Sequence, residues 1–366
     1  MQASGIDFDI AIIGAGPAGS AAANIAAPSG KKVLLLEAGE YPRQKVCGEF
    51  VSHESVNDVF YYLRSLPEAW PVLRAAPVIN RLRLFFAGRG IECPTAPGGL
   101  SISRFDLDAL LWQAARHAGA QAEASCEVRS IQGKGPFQLE TSSGDVRAKT
   151  VIVAAGRWSR FTPRIPIPAG PKWIGLKAHY HEAKPPQSTD LYFFEHGYCG
   201  VQPVADHTVN ACAMVRSDRA KTLNEVFMLH AGLAERARNW EAVGDPVSTS
   251  PLIFRAPQPV TGNVLFVGDA AAFIDPFCGD GISIALRTGR LAALSLGAFL
   301  SGTVTLESAV MNYEEQYHHQ VVPLLNAASR IRVLFSWPRP MQRVVFEVLR
   351  APGVLPYLIR RTRQFA

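Results

Sequence analysis

The stretch "DIAIIGAGPAGSAAANIA", residues 9–26, restricts this chain more than any other. An apolar run from Ile10 to Ile13 reads as a buried strand, and Gly14, Gly16 and Gly19 interrupt it before a series of small, helix-compatible residues. "KKVLLLEAG" then supplies a second buried strand. Strand, turn, helix, strand in this order is the dinucleotide-binding unit. Gly14 makes the tight turn, Gly16 lets the backbone approach a pyrophosphate, and Gly19 lets the helix pack closely on the strand. Pro17 and Ala18 open a helix whose free N–H groups attract the phosphates. Glu37, followed by Ala38, stands 23 residues after Gly14, where a carboxylate accepts hydrogen bonds from a ribose diol and repels a 2′-phosphate. The site therefore favours FAD or NAD over NADP.

The choice between those two rests on "NVLFVGDAAAFIDPFCGDGISIALRTGRLAA", residues 263–293, a strand, a Gly-Asp turn and the start of a long helix. Here the chain resembles the FAD-dependent oxidoreductases of the hydroxybenzoate-hydroxylase fold, related to flavoprotein monooxygenases, and most of all their geranylgeranyl-reductase-like branch. The resemblance implies that Asp269 serves the ribityl and pyrophosphate region of FAD. It also puts Asp275, Pro276, Gly279 and Gly281 beside the isoalloxazine ring. A helix starting at Gly281 and Ile282 would aim backbone N–H groups at the ring edge where negative charge collects on reduction. "SISRFDLDALLWQAARHAGA" matches a family segment whose arginine, here Arg104, reaches the cofactor. "KTVIVAAGRWSR" occupies the place of the family's Ala-Asp-Gly; Gly156 and Ser159 keep the turn, but Ala155 replaces the aspartate. That departure weakens the nicotinamide handling typical of aromatic hydroxylases. The chain carries no Trp-x-Trp-x-Ile-Pro element, which speaks against halogenation.

In the reductase-like branch Pro-Arg-x-Lys-x-Cys-Gly follows the second strand, and "PRQKVCG" reproduces it with Pro42, Arg43, Lys45, Cys47 and Gly48. The resemblance implies that this segment runs along the flavin, with Gly48 allowing close approach and Arg43 meeting a phosphate or a carboxylate. Cys47 is then a pocket wall or proton donor, with inert packing and covalent redox chemistry as the alternatives; reactivity would need local positive charge and access. His53 and Glu49 are the neighbouring candidates for proton transfer. His179 and His181 fall on one face of a strand and with Glu182 suggest partial metal ligands, but no further residue has convincing spacing, so they read as sheet-packed and no metal is expected.

The expected fold is α/β: a Rossmann-like FAD-binding domain with an inserted antiparallel β-sheet substrate domain and C-terminal helices. The FAD-binding part takes 1–75, 95–170 and 255–300, the substrate domain 76–94 and 171–254, and the helical region 301–366. Tyr192, Phe193, Phe194 and Tyr198 would line an apolar pocket. The six scattered cysteines form no CxxC pair, which fits neither a disulfide framework nor a zinc site. The first residues show no signal-peptide pattern, so the expected location is cytoplasmic. The net charge of +6 sits at one end: residues 330–366 hold eight Arg and one Glu, leaving about −1 for the rest. With Trp337, Phe346, Leu355, Tyr357, Leu358 and Ile359 interleaved, that tail suits peripheral membrane contact; no nucleic-acid motif accompanies it. The expected activity is hydride transfer from reduced flavin to a C=C bond of an apolar isoprenoid, polyketide or quinone-like substrate, with NADH or NADPH as donor. The alternatives are an FAD monooxygenase acting on an aromatic or polyketide, and an electron-transfer component feeding a quinone or a protein.

Overall fold

The computed structural model describes residues 5–158, 160–162, 169–335 and 339–363; Ser159 and Trp337 fall outside them. Its first sheet grows from the dinucleotide unit. β1 (Phe8–Ile13) and β2 (Val33–Leu36) pair in parallel around α1 (Pro17–Ala26). β6 (Gln121–Glu123) extends the sheet beyond β2, and β9 (Gly144–Val153) and β16 (Val264–Phe266) extend it on the other side, all parallel. β15 (Val260–Thr261) closes one edge, and the hairpin β7 (Val128–Gln132) and β8 (Phe137–Thr141) hangs from β9. Strands buried on both faces read as continuous aliphatic runs, which is why "VLLL" and "VIV" lack alternation. Ile10, Ile12, Leu34, Leu35, Val151 and Ile152 are buried, each contributing about 1.5–3 kcal/mol in transfer terms.

The second sheet runs β14 (Glu241–Thr249), β10 (Trp173–His181), β13 (Thr208–Arg216), β12 (Gly197–Ala205), β11 (Ser188–Phe194), β4 (Val78–Phe86), β5 (Arg89–Ser101), β3 (Phe50–Val51). All neighbours are antiparallel except β4 and β11. The boundary expected at residues 94 and 95 falls inside β5, whose pairing reaches Ser101 opposite Phe50. The second sheet thus takes in Phe50 and Val51, a few residues after Cys47. β-Branched and aromatic residues favour this pleated surface, but long-range pairing fixes its limits.

Helices cover both units: α2 (His53–Leu63), α3 (Ala69–Ala75) and α4 (Arg104–His117) beside the first sheet, α5 (Leu223–Phe227) and α6 (Ala231–Arg236) on the second. α7 (Gly281–Leu300) is long and apolar enough by length and composition to cross a membrane, yet lies mostly buried against α1 and α8 (Leu306–Gln320). The α1–α7 contact depends on glycine, since a Cβ at Gly289 would stand 2.1 Å from the Ala18 carbonyl oxygen. α9 (Val322–Phe335) buries Leu324 and Ala328 in the core of the first sheet, and α10 (Arg339–Arg350) and α11 (Val354–Arg363) finish the chain against the second sheet.

Candidate active site

Gly14, at φ +96°, turns the chain out of β1 so tightly that a Cβ there would lie 2.5 Å from the Ala154 carbonyl oxygen. Gly19 sits one turn into α1, where a Cβ would meet the Gly14 carbonyl oxygen at 1.9 Å. Pro17 takes the first helical position, whose N–H has no intrahelical partner in any case. Glu37 closes the turn: its Oε2 accepts the Ala15 N–H at 2.9 Å, and its Oε1 accepts from Gly39 N at 3.0 Å and Arg43 Nη1 at 2.6 Å. Burial pushes this carboxyl up, but Arg43 and the backbone donors hold it below the usual carboxylate range. Of the two partners open to Arg43, the structure supplies the carboxylate.

A cavity of about 800 Å³ opens over this turn. It is lined by Gly14, Gly16, Pro17, Ala18, Glu37, Ala38, Arg43, Cys47, Gly48, Arg104, Gly156, Asp269, Pro276, Gly279, Gly281 and Ile282. These come from the beginning, the middle and the far end of the chain, and the volume lies in the range of cofactor pockets, roughly 300–1,000 Å³. Arg104 faces Gly16 from the start of α4, its guanidinium held by the buried Asp108 carboxylate at 2.6 and 2.7 Å. The Gly268–Ala270 turn presents Asp269, whose carboxyl is pushed up by burial against the pull of Arg157, Arg104 and Arg255. α7 points its N-terminus into the cavity at Gly281 and Ile282. A helix dipole at each end, glycines that leave the backbone open and a carboxylate at the ribose position fit FAD. Gly19 acts from behind as the packing residue, and Arg157 lines the wall beside Ala155, 4.5 Å over the Phe273 ring.

Behind the far end of this cavity lies a second one of about 270 Å³, mostly apolar, with Arg81, Thr95, Thr189, Gln202 and Gln342 as its polar lining. Gly48, Phe50, Tyr198, Cys212, Pro276 and Gly279 line both. Leu84, Phe86, Leu191, Phe193 and Phe194 of the second sheet wall the apolar cavity, and Phe346, Leu349, Leu355, Leu358 and Ile359 of α10 and α11 roof it. Tyr192 instead turns to the opposite sheet face, stacked at 4.7 Å on Phe85. Cys47 lines only the cofactor cavity; its sulfur accepts the Glu49 N–H at 3.3 Å, its carbonyl accepts from Asn210 Nδ2 at 3.0 Å, and the Arg104 guanidinium reaches it. His53 is exposed at the first turn of α2 and lines neither cavity, because the chain turns away from the cofactor after β3.

Glu49, by contrast, lies fully buried in the wall, at φ +61°. Its carboxylate accepts from Lys177 Nζ at 2.5 Å and the Arg104 N–H at 2.7 Å and pairs with His179 Nε2 at 2.7 Å. Burial pushes it up, but His179 and Lys177 hold it ionised below the usual range. One side chain thereby ties the Cys47 segment to α4 and to β10, which holds a non-glycine residue in left-handed backbone. Lys177 gave no signal in the sequence beyond being a charge inside a strand otherwise free of them. The ring of His181 faces His207 at 6.0 Å, and Glu182 pairs with Arg236 at 2.8 Å. Tyr198 and Cys212, at the junction, keep their protons: burial pushes both groups well above their ordinary values.

The chain is similar to "Menaquinone reductase" of Mycolicibacterium smegmatis, 27% identical over 96% of this chain and 90% of that protein. It is also similar to "Digeranylgeranylglycerophospholipid reductase 2" of Methanopyrus kandleri, 26% identical over 90% and 87% of the two chains. Among solved structures, the flavin-dependent brominase Bmp2 superposes with a TM-score of 0.80 at 20% identity, covering 98% of this chain and 94% of that one. A halogenase PltM variant in complex with FAD superposes at 0.76 and 17% identity, over 98% and 86%. The Gly14 turn, Glu37 and the strands around them fall within residues 8–192, which match the model of the pyridine nucleotide-disulphide oxidoreductases, and with a cavity shaped for FAD above that turn the chain belongs to this family as an FAD-dependent oxidoreductase.

Proposed function

We propose that the chain reduces an activated C=C bond, or the equivalent quinone, of an apolar isoprenoid, polyketide or quinone-like substrate, using NADH or NADPH as the electron source. The observation that carries this reading is the apolar cavity sharing six wall residues with the cofactor cavity, so that a substrate there meets the cofactor at one short frontier. The names of the curated reductase relatives, which concern a quinone and an isoprenoid lipid, support the same substrate class. When bound, FAD supplies two-electron hydride transfer between donor and substrate.

The protein's own part is to bind, orient, exclude water and hold the proton. With FAD bound, Glu37 would hold the ribose, the α1 and α7 N-termini and Arg104 would serve the phosphates and ring edge, and Asp269 would serve the ribityl chain. The apolar walls and the α10–α11 roof exclude water from the frontier. A hydride acceptor also needs a proton, and Tyr198 and Cys212 hold theirs where the two cavities meet. We assign the proton delivery to Tyr198, with Cys47 as a wall of the cofactor side. Anaerobic incubation with NADH or NADPH and a short-chain quinone or isoprenoid should yield a product heavier by two hydrogens. A product containing an added oxygen, formed only in air, would instead establish the monooxygenase. Flavin oxidation that needs a protein partner, with no small-molecule product, would establish the electron-transfer component.

A further inference from the structure

The roof of the apolar cavity has a second face. On α10, Val345, Phe346 and Leu349 point into the cavity, while Met341, Val344 and Val348 lie on the outer surface, 48%, 65% and 55% exposed. Val333 of α9 and Tyr357 of α11 add outward apolar side chains at 52% and 54%. A helix packed on a soluble protein normally turns charged and polar residues outward, so an outward apolar stripe at i, i+3 and i+7 has a cause. Arg343 and Arg350 stand exposed on the same helix, and Arg339, Arg360, Arg361 and Arg363 belong to the same two helices by sequence. Residues 330–366 carry +7 in a chain of net +6, so the net positive charge belongs to the elements that bear the stripe. Apolar groups flanked by arginines on a surface helix match the acyl boundary and headgroup layer of an anionic bilayer.

We propose that the outer face of α10 and α11 docks on an anionic lipid bilayer, so that these helices separate the bilayer from the apolar cavity and a membrane-dissolved substrate reaches the cavity past them without crossing water. The inference rests on the apolar-substrate reading for its purpose but not for its test. FAD-loaded protein is to be floated with vesicles of phosphatidylcholine alone and of phosphatidylcholine with about one-third phosphatidylglycerol, the anionic fraction supplying the surface potential. The expected result is binding to the anionic vesicles that is on the order of tenfold or more weaker on the neutral ones and weakens as salt is raised. Val344→Glu/Val348→Glu should lose binding on the order of tenfold or more while keeping its FAD and its turnover of a water-soluble short-chain substrate.

Wild-type protein that stays off anionic vesicles at low salt would overturn the docking. So would a double variant that binds as well as wild type, or equal binding to neutral vesicles. A wild-type dimer that the double variant dissociates, without vesicle binding, would show that a second copy covers this face instead. Vesicle binding without turnover of any quinone or isoprenoid would overturn the substrate reading and leave the docking in place.

Discussion

Tyr198 lines both cavities where they meet, whereas Cys47 lines only the cofactor cavity, and kinetics can separate their roles. Tyr198→Phe removes a hydroxyl at the junction of the cavities without changing the ring, so the substrate half-reaction should slow by about 10²-fold or more while flavin reduction by NADH or NADPH continues. Cys47→Ser, on the cofactor side, should retain FAD and leave the substrate half-reaction within a few-fold of wild type. Stopped-flow absorbance resolves the two half-reactions, and the reverse pattern would move the proton to Cys47. Asp275 offers a test in pH. It is 2% exposed, its Oδ1 stands 3.7 Å from Arg332 Nε, and burial pushes its carboxyl up to about 7 from 3.8 despite that arginine. A carboxyl raised in the folded state binds its proton more tightly there than in the unfolded chain, so its stabilising contribution is full below pH 3.8 and is lost as pH rises to about 7. Asp275→Asn cannot titrate. The melting temperature of the wild type should therefore fall relative to that variant across this window, and a constant difference would show that Asp275 ionises normally.

At the scale of elements, the pair α1 and α7 does the positioning. Both N-termini point into the cofactor cavity, and the two helices cross where Gly289 meets the Ala18 carbonyl. Gly289→Ala would force its methyl into backbone at 2.1 Å, which no rotamer relieves, so the helices must part. The expected cost is about 1–3 kcal/mol of stability, accompanied by weaker FAD binding because the Gly16 and Gly281 ends separate. Chemical denaturation and fluorimetric FAD titration measure the two effects. Lost stability with unchanged FAD affinity would mean that the helix ends are set by the sheet rather than by each other. The joint between sheets works differently: Glu49 binds Lys177, His179 and the first N–H of α4, linking three elements through one buried carboxylate.

For the whole molecule, the cofactor cavity draws its wall from segments as far apart as Ile13 and Ala285, so FAD binds only the assembled chain. Ligand binding confined to the folded state adds stability by mass action, about 2.7 kcal/mol at a hundredfold excess over the dissociation constant. Purified protein should be yellow, and added FAD should raise the melting temperature of the stripped protein by several degrees where FMN, lacking the adenosine for Glu37, raises it much less. Equal shifts would remove the adenosine half of the site. Much of this was legible in the sequence because it is local chemistry: glycine spacing fixes a turn, an aliphatic run a buried strand, a carboxylate after the second strand a ribose site. Those constraints act within some 30 residues and determined the nucleotide unit, the Gly-Asp turn and the long helix from Gly281. What no local pattern encodes is which distant groups meet. His53 follows Cys47 by six residues yet faces solvent, whereas Lys177 and His179 reach Glu49 from more than a hundred residues away. The tail was legible as basic and apolar, but its two apolar faces, one over the cavity and one outward, exist only once α10 and α11 pack on the second sheet. Burial and charge pairing are properties of the assembled fold, so tertiary structure alone decided which groups Glu49 pairs with and that α10 and α11 wall the apolar cavity.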